Sequence, residues 1–396
     1  MKIALLLDQL APGSALKLVS YPFQYIPSSE HELDVLIIKR SNISSSQLDL
    51  FNSIPSGNIF YLEDYYPKFI KFFDRKIPGL TFFSFFHLYS YFFAGSAVSK
   101  INKQYDVVVA YCQYSSFAAK SISRQSKSKS KSKSKYLLLA WDPSVFTLIK
   151  IYSKKFKYLL WLLKPVAYIY DWFAFLGSSG VINSCRFHND TFSKITKSPI
   201  YILAPGCNPD IGLYKLIKNR DLVSWDRWDY GNNPIKLLDI LYLLKNRNIK
   251  LAIGGYWHTD QLLQEFIEKS KVMCLNDRVE FLPELNEKDI AELCSSAKLH
   301  IHPIHEAFGM QVLEASAVGC PSIIVRGSGS AELYQHRISG LHPEGSHESF
   351  ACEIDWAFDD HDRLKQLSIE AYKVALNYSW ANHSHNLLQI CKNSLA

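Results

Sequence analysis

The residues best suited to chemistry lie in one stretch, HEAFGMQVLEASAVG, His305 to Gly319, where Glu306 and Glu314 stand eight positions apart around the start of a small, apolar helical pattern. Carboxylates accept hydrogen bonds from hydroxyls strongly. If both acids were helical, a rise of about 1.5 Å per residue would part them by about 12 Å along the axis. That spacing suits a ligand with hydroxyls at both ends and phosphates between them, the layout of a nucleotide sugar. The stretch follows the apolar run LHIHPI and precedes PSIIV, so its helix begins just after a buried parallel strand. There its unpaired N–H groups and positive dipole end face the crevice along the strands' carboxyl edge, where a phosphate binds. Gly309, at the helix entrance, lets a ligand approach the backbone closely.

Two metal readings are weaker. His300, His302 and His305 are close in sequence, but the first two stand two apart on a strand, which suits a core or site-facing role better than a metal centre. FDDHD, Phe358 to Asp362, has a D-x-D spacing yet sits in a polar stretch and reads as a solvated helix start. The eight cysteines are scattered singly, with no CxxC. They read as reduced, mostly buried thiols of a cytoplasmic protein.

The elements that must hold these residues follow from pattern. KIALLL, DVLIIK, DVVVAY, KYLLLAW, GVIN, PIYILAP, IKLAIGG, LHIHPI and PSIIV are short apolar runs suited to strands buried on both faces. They alternate with longer segments of helical period, which predicts α/β architecture with parallel sheets. A chain of 396 residues exceeds what one core usually organises, so two domains are expected. PIYILAPGCNPD ends in a Pro/Gly/Asn cluster and places the boundary there: 1–206, then 207–375, with 376–396 as a helix returning to the first domain. MKIALLLDQL has an apolar run that ends at Asp8, too short for a signal peptide and better read as a first buried strand.

The formal charge of +7 points to an anionic partner without choosing among small-molecule phosphates, acidic lipid and nucleic acid. The tract QSKSKSKSKSKY has nothing to bury and repels itself, so a disordered surface loop is expected over 125–135. Leu80–Gly95, preceded by KFIKFFDRKIP, and Lys150–Gly177 combine lysines with many aromatics. They fit either helices lying in a membrane interface or buried helices with a solvated lysine face; neither is an uninterrupted spanning segment.

EAFGMQVLE, set within VEFLPELNEKDIAELCSSAKLHIHPIHEAFGMQVLEASAVGCPSIIVRGSGSAELYQHRISGL, Val279 to Leu341, resembles the E-x7-E signature and donor domain of the GT4 retaining glycosyltransferases. YSW at Tyr378–Trp380 resembles the start of that family's returning helix. The resemblance covers roughly 170 residues, several motifs agreeing in order. It implies the GT-B fold: two Rossmann-like domains with an interdomain cleft. It also implies roles. Glu306 would hold donor-sugar hydroxyls and stabilise the transition state; Phe308, Gly309 and Met310 would offer backbone N–H groups; Glu314 would bind the ribose. Arg227 would be the basic residue on the first donor-domain loop, facing the diphosphate. Gly254 and Gly255 would be the strand-end glycines, with Leu285 in the loop bordering the nucleobase. Gly13 and Ser14 occupy the place of the family's glycine-rich loop. Asp142, at another strand end beside Trp141, is either catalytic or a structural cap. The family's second basic residue, about five positions after the arginine, is replaced here by Asn232 and Asn233; asparagine still donates a hydrogen bond, and Lys236 lies one turn on.

The function so implied is metal-independent, retaining transfer of a hexose from a nucleotide-diphosphate sugar to a hydroxyl of a glycan or lipid-linked acceptor. It implies cell-envelope polysaccharide or glycolipid synthesis at the cytoplasmic face of the membrane. No cofactor and no nucleic-acid partner are expected. The alternatives are a nucleotide-sugar epimerase or synthase of the same fold, and a non-catalytic nucleotide-sugar-binding protein.

Overall fold

A computed structural model of the chain describes residues 1–10, 14–41, 48–70, 85–129, 134–146, 160–210, 212–215, 217–229 and 231–395. The chain divides into two compact units, one made of Met1–Ser184, His188–Ala204 and His383–Ala396, the other of Cys185–Phe187 and Pro205–Asn382.

The first unit holds a parallel sheet of seven strands: β1 (Lys2–Leu7), β2 (Glu32–Ile37), β3 (Ile59–Tyr61), β4 (Val107–Tyr111), β5 (Lys135–Leu139), β6 (Gly180–Asn183) and β7 (Ile200–Ile202), in the order β3-β2-β1-β4-β5-β6-β7. Ile3–Leu7 and Val107–Tyr111 are buried throughout, as strands covered on both faces must be, and they occupy the sheet's centre. The described helices are α1 (Ser14–Tyr25), α2 (Leu48–Asn52), α3 (Phe85–Lys100), α4 (Cys112–Lys129), α5 (Leu160–Phe175) and α6 (Asn189–Ile195).

Two sequence expectations meet their outcome here. The Ser/Lys tract is not a loop from its first residue: α4 runs to Lys129, and β5 begins at Lys135. Buried Phe117, Ala118, Ala119 and Ile122 fix the body of α4. Propagating a packed helix into lysines, which are good helix formers, costs little. Ser134 is also held, accepting from Ser123 Oγ at 2.5 Å and donating to the Tyr105 carbonyl; residues 130–133 lie outside the described set. In α5 the outer face is apolar rather than lysine-rich: Trp161, Ile169 and Trp172 are 72%, 64% and 52% exposed. They repeat at helical spacing with Lys164 among them, while Ala167, Tyr170 and Ala174 face the core. Among the described residues no helix is long and apolar enough to cross a membrane.

The second unit carries β8 (Arg220–Trp228), β9 (Leu251–Trp257), β10 (Val279–Phe281), β11 (Ala297–His302) and β12 (Ser322–Ile324), a parallel sheet ordered β10-β9-β8-β11-β12. Its helices are α7 (Ile235–Leu243), α8 (Asp260–Val272), α9 (Glu287–Ser296), α10 (Met310–Ser316), α11 (His347–Phe358) and α12 (His361–Asn377). The period-2 alternation of strand side chains divides the core. Leu222, Leu251, Ile253, Leu299 and Ile301 pack with Leu238 of α7, Phe266 of α8 and Ile354 of α11. On the other side Val223, Trp225 and Ala252 pack with Leu293 of α9 and Ala315 of α10. Asn286 and Asp289 close a reciprocal capping box on α9, and Asp360 caps α12.

The division between units falls at Ala204/Pro205 and again at Asn382/His383. Within the second unit the two passages are bonded to each other: Cys207 N–H donates to the Tyr378 carbonyl at 2.8 Å, and Trp380 N–H to the Cys207 carbonyl at 3.0 Å. Helix α13 (Trp380–Leu395) thus starts in the second unit.

Candidate active site

In the second sheet the strand order reverses between β8 and β11. An α/β sheet offers its crevice at the carboxyl ends of such a pair, because the crossovers leave in opposite directions. Arg227 is the second-last residue of β8, Gly254 and Gly255 pair with Trp225 and Asp226 from the neighbouring β9, and Glu306 follows the end of β11. Parallel strands thus bring these residues to one edge.

Glu306 is not on the helix. It lies in the loop between His302 and α10, a helix of seven residues that begins at Met310, so the helical spacing of 12 Å expected for the two acids does not apply. Pro303 lacks the N–H that a further strand residue would need. Glu306 is instead fixed by an imidazole: its Oε1 lies 2.7 Å from Nε2 of His302, whose side chain is 2% exposed. The loop backbone is clamped as well. Gly329 N–H donates to the Glu306 carbonyl at 3.1 Å, and the Cys185 thiol to the Ala307 carbonyl at 3.0 Å. Phe308 and Met310 are buried, so their side chains serve the core.

Gly309 has φ −85° and ψ 101°, a conformation open to any residue. What it requires is space. A Cβ there would stand 2.8 Å from Glu306 Oε1 and 2.9 Å from His302 Nε2. The space that its bareness leaves is filled by the Glu306–His302 pair, where the sequence suggested ligand approach. Glu314 sits half-buried within α10. Burial first, and the Glu314 charge second, push the Cys207 thiol above its ordinary value.

Arg227 is a strand residue rather than a loop residue, because Asp226 and Arg227 continue the pairing of β8 with β9. Its side chain is 64% exposed, with Nη2 3.6 Å from Asp229 Oδ2. Asn232 does not replace a second cation: its amide group donates to the Arg227 carbonyl at 3.0 Å and is buried. Asp229 Oδ1 accepts from Gly231 and Asn232 N–H at 2.7 and 2.8 Å, closing a turn that presents the arginine. Asn233 adopts φ 40° in that turn, and Lys236 lies half-buried in the first turn of α7. Gly254 leaves room for Leu285, whose Cδ1 would be 3.1 Å from a Cβ there. Gly255 has φ 113°, and a Cβ would collide with the Asp226 backbone, so only glycine fits.

In the first unit, Gly13 lies outside the described residues and Ser14 opens α1. Asp142 follows β5 and is an anchor: Oδ1 lies 2.8 Å from Nε2 of buried His188, and its carbonyl accepts from Gln113 Nε2 at 2.7 Å. Trp141 beside it is half-buried. Asp171 of α5, fully buried, accepts from Ser144 N–H at 2.7 Å and Ser144 Oγ–H at 2.5 Å. Burial pushes its carboxyl up to about 6. Among the described residues no group of three or more His, Cys, Asp or Glu could hold a metal ion. The His300 ring is tilted against Trp225, with centroids 4.3 Å apart, and its Nδ1 lies 2.9 Å from Ser322 Oγ.

Two parallel α/β units, the second with Arg227 near the end of β8 and Glu306 just beyond the end of β11, form a GT-B architecture. Residues 217–374, within the second unit, match the family model described as Glycosyl transferases group 1. It is 29% identical over 130 residues to a D-inositol 3-phosphate glycosyltransferase from Nocardia farcinica, a match covering 31% of this chain and 28% of that relative. The chain therefore aligns with under a third of that protein's length. Among solved structures it is similar to Anabaena HepE in complex with UDP-glucose, with TM-score 0.70 and 17% identity over 99% of each chain. It is also similar to WaaG, a glycosyltransferase involved in lipopolysaccharide biosynthesis, with TM-score 0.68 and 15% identity, covering 98% of this chain and 99% of that one.

Proposed function

We propose that the protein is a glycosyltransferase that moves a hexose from a nucleotide-diphosphate sugar to an acceptor hydroxyl with retention of configuration. The observation that supports this best is the pairing of an exposed arginine, Arg227, with a fixed carboxylate, Glu306, at the ends of adjacent strands β8 and β11. In the reaction the bond from the anomeric carbon to the diphosphate oxygen breaks, and the bond to the acceptor oxygen forms on the same face. The acceptor proton passes to the departing phosphate.

Negative charge grows on the diphosphate, so the Arg227 guanidinium and the N–H groups of Phe308, Gly309 and Met310 would lower the barrier electrostatically without a metal ion. Glu306, oriented by His302, would accept from donor-sugar hydroxyls as the ring becomes positive, and Glu314 would accept from the ribose. Gly254 and Leu285 would border the base, and Gly13 and Ser14 the phosphates. Asp142 would then position His188 rather than touch substrate.

For the acceptor we propose a glycan or lipid-linked hydroxyl in envelope polysaccharide or glycolipid synthesis, supported by the apolar stripe on α5. That stripe suits peripheral contact with an anionic membrane at its cytoplasmic face.

A panel of nucleotide sugars, with released nucleotide followed by mass spectrometry in EDTA, tests the reading. Release from at least one donor is expected, with losses of about a hundredfold in Glu306→Ala and in Arg227→Ala. Unchanged release in both variants would refute the site, and epimer formation without acceptor would favour an epimerase.

A further inference from the structure

At the opposite edge of the second sheet lies a cleft lined by Tyr214, Ser368, His361 and four lysines, Lys215, Lys218, Lys298 and Lys365. Lys218 precedes β8 by two residues, and Lys298 is the second residue of β11. The cleft is therefore about 20 Å, the length of a six-residue strand, from the carboxyl edge that carries Glu306. Its charge is poorly compensated. Among the described residues the one carboxylate within ion-pair reach of these lysines is Asp221, 2.8 Å from Lys298 Nζ. Asp221 is further engaged by Lys250 N–H at 3.1 Å.

The wall is a fixed one. Gly319 has φ 74°, and the Tyr214 ring occupies the place a Cβ would need. Its carbonyl accepts from Lys218 Nζ at 2.8 Å and from Ser368 Oγ at 2.5 Å, while Ser368 Oγ also meets Tyr214 OH at 3.2 Å. That carbonyl takes one of the three donors of Lys218. Burial, and less strongly the charge of Lys215, hold the Lys218 ammonium below its ordinary value. Partly desolvated ammonium groups that repel one another and have one carboxylate among them are matched by a multiply charged oxyanion.

We propose that this cleft binds a phosphate group, carried by a soluble phosphorylated molecule or by a lipid headgroup, at a site distinct from the Arg227–Glu306 edge. The site does not depend on the glycosyltransferase reading. Lys215 and Lys365 are exposed and supply charge at the mouth; half-buried Lys218 supplies a further donor.

The test uses the full chain and inorganic phosphate at pH 8, with sodium chloride at matched ionic strength, followed by thermal denaturation. A saturable rise in melting temperature with phosphate alone is expected. In the double variant Lys215→Ala/Lys365→Ala the half-saturating concentration should increase at least about tenfold, and in Arg227→Ala it should stay at the parent value. Co-sedimentation with phosphatidic acid vesicles separates the sources. Lysine-dependent capture assigns the headgroup, and phosphate binding without capture assigns a soluble ligand; both support the site. Binding in neither assay, an unchanged double variant, or loss of the phosphate effect in Arg227→Ala alone would overturn the proposal.

Discussion

Gly309→Ala isolates the Glu306–His302 pair from every other feature of the site. The backbone there, φ −85° and ψ 101°, accepts alanine without strain, so the added methyl acts only through what it touches. It would stand 2.8 Å from Glu306 Oε1, whereas an ordinary contact needs about 3.5 Å. The carboxylate must retreat by about 0.7 Å, and His302 Nε2, at 2.9 Å from the same methyl, must move with it. Misplacement of a reacting group by about 1 Å costs up to about a hundredfold in rate, so kcat/KM for nucleotide release should fall between about tenfold and a hundredfold. Stability should move less. Loss of a hydrogen bond to a charged group costs about 1.5–3 kcal/mol, and the entropy that alanine removes from the unfolded chain returns about 0.4–1 kcal/mol. Steady-state kinetics with a parallel melt would show a large rate loss and a melting temperature lowered by a few degrees. Parent-level kcat/KM at an unchanged melting temperature would refute the role given to the pair.

Lys120 of α4 is 6% exposed, with Nζ 3.8 Å from the Phe173 ring centroid, and burial, helped by the charge of Arg124, brings its ammonium down to about 7. Moving an amine from 10.5 to about 7 penalises its charged form in the folded chain by about 5 kcal/mol. Between those values the unfolded chain binds the proton and the folded chain does not, so stability should rise with pH across that window. Urea unfolding should therefore find Lys120→Met more stable by about 5 kcal/mol at pH 6 and the advantage shrinking as pH rises above 7; a pH-independent difference would refute this. Gly255→Ala should lose about 3 kcal/mol or more, read from the denaturant midpoint, because φ 113° and the Asp226 carbonyl both exclude a methyl. In flotation with anionic vesicles at low salt, Trp161→Ser/Trp172→Ser should cut the bound fraction about tenfold or more; a parent protein that never floats would rule out the membrane role of α5.

The sequence made most of this readable where pattern and burial coincide. LHIHPI and PSIIV became β11 and β12, and the small residues after Gly309 became α10. β8 escaped because Asp221, Ser224 and Asp226 interrupt its apolar run, although it is the strand on which the second sheet turns. Its polar residues are absorbed locally, Ser224 Oγ by the Ile301 carbonyl and Asp221 by Lys298, and such partners leave no periodic trace. His302 reads from the sequence as a core or site-facing strand residue, with no sign of its partnership with Glu306. The pair is four apart, a spacing that signals contact only within a helix, and here a proline-marked loop folds the carboxylate back onto the strand end. Asn232 was legible as a missing cation but not as a backbone latch, because the turn centred on Asp229 decides where its amide points.

Cys207 and Ser379 form a parallel bridge, and Gly206 is pressed against Trp380, whose Cα would be 2.6 Å from any Cβ at that position. Apart from the short Cys185–Phe187 segment, the second unit thus leaves and rejoins the chain at nearly one point, as if tied at a single knot. Its ends, at Pro205 and Asn382, need only a short splice to be closed on themselves, since the closure entropy of so brief a loop is small. The stretch that matches the glycosyltransferase family sits wholly inside that knot. A cassette cut at the Cys207–Tyr378 seam would therefore leave behind Cys185 and Arg186, whose thiol and N–H hold the Ala307 carbonyl and Glu332, and would have to carry that short segment as well.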